Sequence, residues 1–344
     1  MKELWISYFK TYPLSTIQDF IKLVYQSVMG SAHLVVNVSD NYDYLLKEYE
    51  SITYDASHIF YEEISEDLVR VHLEAIPKTH LKTMHALFMK SVNISKDKDV
   101  LIEVLQNAKK SIQDGTIPFD IYEYEMVLKD YIKTGCPVIS HSETFRKYYH
   151  PHYRLMKKEY LKYIDVLFKI DNLERYSVIA IDGQAASGKS TFASFLQDIY
   201  HYPIVHMDDF FLQSFQRSKE RLSEAGGNID YERFLKEVVF PLNKKESFSY
   251  HIFDCAQMKL NGKREIIFSD KVIVEGSYSH HPYFKEYATL KIFMDINPEE
   301  QIKRIKKRNG SFMAERFMNE WIPMENNYFE TFDIKEKADL IMKG

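Results

Sequence analysis

Apolar positions over residues 1–170 recur mostly with helical spacing. Ile17, Phe20, Ile21, Val24 and Val28 fall on one face, with Ser15-Thr16 as an N-cap in front and Gly30 as a stop behind. Similar runs predict helices over 81–92, over 100–112 (closed by Asp114-Gly115) and over 121–132 (closed by Gly135 and Pro137). A run from Tyr160 to Ile170 reads as a last helix, stopped at Asp171-Asn172. One alternating stretch, Leu68 to Leu73, reads as a short strand or an extended connector.

From Tyr176 onward the pattern changes. Short apolar runs appear at 178–181, 203–205, 272–274, 290–294 and 338–342. Four of them stop at polar positions: Asp182-Gly183, Met207-Asp208, Glu275-Gly276 and Asp295. Runs that are apolar nearly throughout suit strands buried on both faces. Helical stretches at 191–200, 231–239 and 299–307 lie between most of them, as parallel crossovers require. The expected fold is therefore α/β: a parallel sheet with flanking helices over 171–344, preceded by a mainly α-helical accessory domain over 1–170. In open sheets of this kind, ligands bind where the strands end.

Composition narrows the classes. Forty-five Lys and Arg face 50 Asp and Glu, a net charge of −5, which argues against a general nucleic-acid binder. Hydrophobic residues at 45% exclude a chain that is disordered over most of its length. Cys136 and Cys255 lie in different halves, so neither a disulfide framework nor a cysteine-rich zinc site is expected. No run of 18 apolar residues and no signal-peptide pattern is present, so the expectation is a cytoplasmic protein without a membrane partner. A homo-oligomer is compatible with the sequence.

The clearest chemistry follows the first apolar run of the second half. Gly183-Gln184-Ala185-Ala186-Ser187-Gly188-Lys189-Ser190-Thr191 matches the Walker A pattern GxxxxGK[ST], with a strand before it and a helix after. Glycines allow the loop to turn its N–H groups inward around phosphate oxygens. The helix N-terminus adds favourable charge. Lys189 is placed to reach the terminal phosphates of ATP, and the Ser190 hydroxyl to reach Mg²⁺. No guanine-reading Asn-Lys-x-Asp motif occurs.

Two acids lie on the same predicted edge. Asp208, in His206-Met207-Asp208-Asp209-Phe210-Phe211, is expected to accept the proton of an attacking hydroxyl and to touch the metal through water. Glu275 is expected in the metal shell, and Asp209 is the alternative base. A basic helix places Arg304 and Arg308 four residues apart on one face, suited to stabilising charge during transfer. Lys303, Lys306 and Lys307 read as a solvated face, and the stretch after Gly310, with Arg316, reads as a lid.

These landmarks, with Asn228-Ile229-Asp230 and Lys337-Ala338-Asp339-Leu340-Ile341, make the second half resemble the uridine kinase group of P-loop kinases. That group includes nicotinamide riboside kinase and phosphoribulokinase. The resemblance implies transfer of the ATP γ-phosphate, with Mg²⁺, to a primary hydroxyl of a nucleoside-like small molecule. It implies Asp208 as base and a ribose-hydroxyl contact at Asp230, which reads equally well as the N-cap before Tyr231. The pyrimidine-reading Tyr-Asp-Phe segment and nearby His align with Phe253 and Met258, which are expected to line the acceptor site. Phe253 lacks the hydroxyl, and Met258 is only a weak acceptor, so the acceptor stays open. Another riboside, a pantothenate-like alcohol and a phosphosugar are alternatives, as is a nucleotide-binding regulator without small-molecule kinase activity.

The first half carries eight histidines: His33, His58, His72, His80, His85, His141, His150 and His152. None forms an HxxxH or HExxH pair, so scattered core and surface histidines are expected rather than a metal site. The stretch from Ser140 to Arg154 is unusually polar and aromatic. It reads either as a helix end or as an anion pocket at the junction of the two halves. Ser140-His141 lacks the Gly-x-Ser-x-Gly elbow of a hydrolase.

Overall fold

A computed structural model describes residues 2–30, 38–92 and 97–344, with side chains from residue 42 in the second of these stretches. His33 lies outside the described residues. The chain divides into two compact units, Met1–Asp171 and Asn172–Gly344.

The N-terminal unit contains helices α1 (Lys2–Thr11), α2 (Ile17–Met29), α3 (Val38–Glu50), α4 (Leu81–Lys90), α5 (Lys98–Gln113), α6 (Ile121–Lys133), α7 (Glu143–Tyr149) and α8 (Ile164–Asp171). The apolar face of α2 is buried among Trp5, Phe9, Leu101, Leu105, Tyr124 and Leu128. Each such side chain contributes about 1.5–3 kcal/mol on burial. The expected cap at the start of α2 forms, with the Thr16 N–H donating to Asp19 Oδ2 at 3.0 Å. Helical periodicity missed a small antiparallel sheet: β1 (Tyr61–Glu63), β2 (Leu68–His72) and β3 (Tyr153–Lys157), in that order. The 68–73 run is thus a strand. β2 alternates apolar and polar residues as the sequence suggests, yet it is buried at every position, Arg70 and His72 included. Arg70 is accommodated because Gln26 Oε1 accepts its Nε and Nη2 at 3.0 and 2.7 Å and Glu62 accepts Nη1 at 2.9 Å. The expected helix over 160–170 begins as a 3₁₀ segment, Lys158–Tyr163, before α8.

The C-terminal unit is a P-loop-type α/β fold. Its strands β4 (Ser177–Gly183), β5 (Ile204–His206), β8 (Lys271–Glu275), β9 (Leu290–Asp295) and β10 (Leu340–Lys343) form one parallel sheet, ordered β10-β9-β4-β8-β5. β4 is central and fully buried, and its neighbours β8 and β9 diverge in chain order on either side. That makes the end of β4 the topological switch point. The helices are α9 (Lys189–Tyr200), α10 (Lys219–Ser223), α11 (Tyr231–Phe234), α12 (Phe240–Lys244), α13 (Pro298–Arg316) and α14 (Ile322–Phe332). A π-turn at Leu235–Val239 joins α11 to α12, and α13 is broken at Gly310. A hairpin of β6 (Phe248–Asp254) and β7 (Lys259–Ile266) stands where no strands were expected. Most of β7 is exposed, so the apolar count that revealed the sheet strands is absent there.

Candidate active site

The glycine loop owes its shape to the strands around it. Gly183 has φ 136°, and a Cβ there would meet the Met294 carbonyl oxygen of β9 at 2.2 Å. Gly188, with φ 96°, occupies the cap position before α9. The loop is held from outside by three side chains. Glu325 Oε2 accepts the Ala185 N–H at 2.9 Å, Gln301 Nε2 donates to the Ala185 carbonyl at 3.0 Å, and Arg304 Nη1 donates to the Ala186 carbonyl at 3.4 Å. From within, Gln184 Oε1 accepts the Ile296 N–H at 2.9 Å. Lys189 Nζ donates to the carbonyls of Gly183 and Gln184 at 2.7 and 2.8 Å. Ser190 and Thr191 are exposed in the first turn of α9. The Ser187 hydroxyl is buried with no partner among the described residues.

Glu275, at the end of β8, is brought to this loop. Its Oε2 accepts the Ser190 hydroxyl at 3.0 Å, and its Oε1 lies 2.6 Å from His206 Nδ1. Asp208 sits just past β5 in a 3₁₀ turn, Met207–Phe210. The residue reaches solvent, yet crowding around its carboxyl raises its pKa above the ordinary carboxylate value; the negative Glu275 adds to the rise and Lys189 opposes it. Asp209 is differently employed. It is buried, its Oδ2 accepts from Tyr250 Oη at 3.1 Å and Arg264 Nε at 3.3 Å, and its carbonyl accepts Arg233 Nη2 at 2.7 Å.

The remaining expected residues are less gathered. Asp230 caps α11, with Oδ1 accepting the Arg233 N–H at 3.1 Å and Oδ2 accepting Gln216 Nε2 at 2.9 Å. Phe253 is buried on β6, edge-on to Phe211 at 6.3 Å, and Met258 is half-buried in the β6–β7 turn. Arg304 touches the loop, whereas Arg308 is exposed and donates to its neighbour Asn309 at 2.8 Å. Past Gly310 the chain is helical, and Ala314, Phe317 and Ile322 pack with Ala185, Ala186 and Ile305. Arg316 pairs with Glu320 at 3.0 Å.

Sequence reasoning missed three contributors. Glu325 lies about one hundred and forty residues from the backbone N–H it accepts, and it also accepts the Ser277 hydroxyl at 2.7 Å. Burial raises its pKa, with Lys189 opposing. His206, two residues before Asp208, faces Glu275 although its sequence context carries no motif for that role. Asp182 is fully buried and accepts the N–H groups of Gly183, Tyr278 and His280 and the Tyr328 hydroxyl at 2.7–3.1 Å. Only Asp182 left a signal, as the acid directly before the loop.

Serine hydroxyl and carboxylate oxygens are the hard donors Mg²⁺ takes, and a lysine over a glycine loop matches a polyphosphate. By this donor set Ser190, Glu275, Lys189 and the loop amides fit magnesium and ATP.

The N-terminal unit holds a second polar centre. His141 Nδ1 lies 2.9 Å from Asp19 Oδ1 and its Nε2 lies 2.7 Å from the Tyr153 hydroxyl. Nearby, a cavity of about 750 Å³ is lined by Lys22, Lys47, Glu48, His141, Arg146 and His152, among others. Among the described residues its lining belongs to this unit and includes much of the 140–154 stretch.

No protein-family model matches the chain, and no curated protein matches it. Among solved structures, one described as a possible uridine kinase from Bacillus stearothermophilus is 20% identical and aligns over 54% of this chain and 100% of its own, with a TM-score of 0.40. A candidate fructose transport system kinase from Silicibacter sp. TM1040 is 19% identical over 49% of this chain and 91% of its own, with a TM-score of 0.39. At these TM-scores the likenesses decide nothing about chemistry. The strand order and the glycine loop by themselves define a P-loop-type α/β fold. Among the described residues, no helix is long and apolar enough to cross a membrane.

Proposed function

We propose that the C-terminal unit is an ATP-dependent, Mg²⁺-requiring small-molecule kinase that phosphorylates a primary hydroxyl of a nucleoside-like acceptor. The observation that carries this reading is the junction of Ser190 and Glu275 at 3.0 Å beside Lys189, with Asp208 close enough to feel both Glu275 and Lys189. A carboxylate near that junction is what a phosphoryl transferase needs to take the acceptor proton, and a sensor does not need one.

Each residue has a defined part. The loop amides and Lys189 bind the phosphates and orient them. Ser190 and Glu275 are the residues to hold magnesium, whose charge, when bound, offsets that of the phosphates. Asp208 accepts the acceptor hydroxyl proton as that oxygen bonds to the γ-phosphorus and the bond to the β-phosphate oxygen breaks, leaving ADP. Arg304, anchored on the loop, and Arg308, one turn on, offer positive charge for the transferred group. Phe253 and Met258 supply an apolar wall for the acceptor, and Asp230 holds the helix beside it.

The test is phosphate transfer from γ-labelled ATP to a panel of nucleosides, other ribosides, pantothenate-like alcohols and sugar phosphates. Label in one alcohol class supports the reading. ATP binding without transfer to any member overturns it in favour of a regulator.

A further inference from the structure

Three side chains separated in sequence meet in the N-terminal unit. One ring nitrogen each from His58 and His72, and one carboxylate oxygen of Glu74, lie within 4.8 Å of one another. Two of the polar atoms on these residues are orphans: His72 Nε2 and Glu74 Oε2 are buried without a hydrogen-bond partner among the described residues. Leaving such atoms unpaired costs about 1–3 kcal/mol each, so a cluster with an orphaned atom on two of its three residues calls for a partner. The scaffold fixes all three residues through the backbone. The Asp55 N–H donates to the Glu74 carbonyl at 2.8 Å, the His58 N–H to the Asp55 carbonyl at 3.1 Å, and the His72 N–H to the Phe60 carbonyl at 3.0 Å. His58 Nδ1 lies 3.0 Å from the Ile59 carbonyl. That contact holds the proton on Nδ1 and leaves Nε2 with a free lone pair, the tautomer that metal-binding histidines adopt through an outer hydrogen bond.

We propose that His58, His72 and Glu74 form a binding site for a divalent first-row transition ion, with Zn²⁺ as its probe. Two imidazoles and one carboxylate are a zinc-type set that leaves a fourth position for water. Donors bonded to one tetrahedral Zn²⁺ at about 2.0–2.1 Å stand roughly 3.4 Å apart, so a spread within 4.8 Å closes on an ion by side-chain rotation. Histidine spacing in the sequence could not reveal this, because His58 and His72 are brought together by strand pairing rather than by one helix.

The proposal stands apart from the kinase reading, and its test reads metal rather than turnover. The full chain is stripped with chelator and titrated with Zn²⁺ against a chromophoric competitor, and with Co²⁺ followed by visible absorption. One equivalent is expected to give a tetrahedral Co²⁺ spectrum. Glu74→Gln and His58→Ala should each weaken it by more than the roughly 10–100-fold that loss of an outer-shell partner costs. Glu275→Gln should leave this equivalent in place, which separates it from any ion at the glycine loop. His58 reaches solvent, so its replacement keeps the test open should a change at buried His72 unfold the chain. No bound Zn²⁺ at micromolar concentration, or binding undiminished by either substitution, overturns the proposal.

Discussion

Asp19 and Glu275 are both buried carboxylates set against a histidine, at 2.9 Å to His141 and 2.6 Å to His206. Their remaining partners differ. Asp19 also accepts the N–H and hydroxyl of Thr16 and the N–H and hydroxyl of Ser142, all at 2.6–3.0 Å. Burial pushes its pKa up, but these bonds and His141 outweigh that and hold it well below the usual carboxylate range. Glu275 has one further partner, the hydroxyl of exposed Ser190 at the start of α9. A carboxylate offers about four lone-pair sites. One of these groups is saturated and ties two distant chain segments together; the other keeps capacity for a ligand. Acid, histidine and burial are alike in both, so the count of donors already engaged is what separates a fastening from a candidate site.

Substitutions sharpen that contrast. The largest effects should come at the glycine loop. Lys189→Ala is expected to lower phosphate transfer by about 10²–10³-fold with the fold intact, measured as kcat beside a thermal melt. Asp208→Asn should lose a similar factor, about 10²–10⁴-fold, and full retained activity would remove it as the base. Asp19→Asn should do the reverse. Transfer per folded molecule stays near wild type, while denaturant unfolding of the N-terminal unit loses about 1–3 kcal/mol through donors left unpaired.

Acid should separate the units as well. Burial lowers the His141 pKa to about 4, with hydrogen bonding to Asp19 opposing. The unfolded chain, with an ordinary His value of about 6.5, therefore binds more protons between those limits. Stability of the N-terminal unit should fall as pH drops from about 6.5 towards 4, by on the order of 2–3 kcal/mol from this residue. Below about 4 the depressed Asp19 adds further loss as the unfolded carboxylate takes up protons. His141→Asn should lessen the slope above pH 4 in urea melts at stepped pH, with burial of His72, which lowers its pKa to about 4 as well, keeping part of it. The smallest effect is kinetic: with Asp208 raised, the acidic limb of kcat/KM should lie above the ordinary Asp value of about 3.9, and Asp208→Asn should abolish it.

What could be read beforehand follows the same division. The sheet strands and the loop were legible because each is contiguous: apolar runs of three to five residues, and nine residues in one motif. Glu275 and Asp208 were legible from their place after strands. Glu325 and the β6–β7 hairpin were not, the first because its partner is distant in sequence and the second because exposed strands carry no apolar run. In the N-terminal unit almost every polar cluster is assembled from separated segments, as with Asp19, His141 and Tyr153, so neither composition nor spacing could announce it.

The most direct measurement is calorimetric titration of ATP, with and without Mg²⁺, into the wild-type chain, Ser190→Ala and Glu275→Gln. If Ser190 and Glu275 meet around a single magnesium–triphosphate, Mg²⁺ tightens ATP binding in the wild type, and each substitution removes most of that gain while leaving Mg²⁺-free affinity nearly unchanged. A magnesium effect that persists undiminished in Glu275→Gln, or a wild-type chain that binds no ATP, would contradict it.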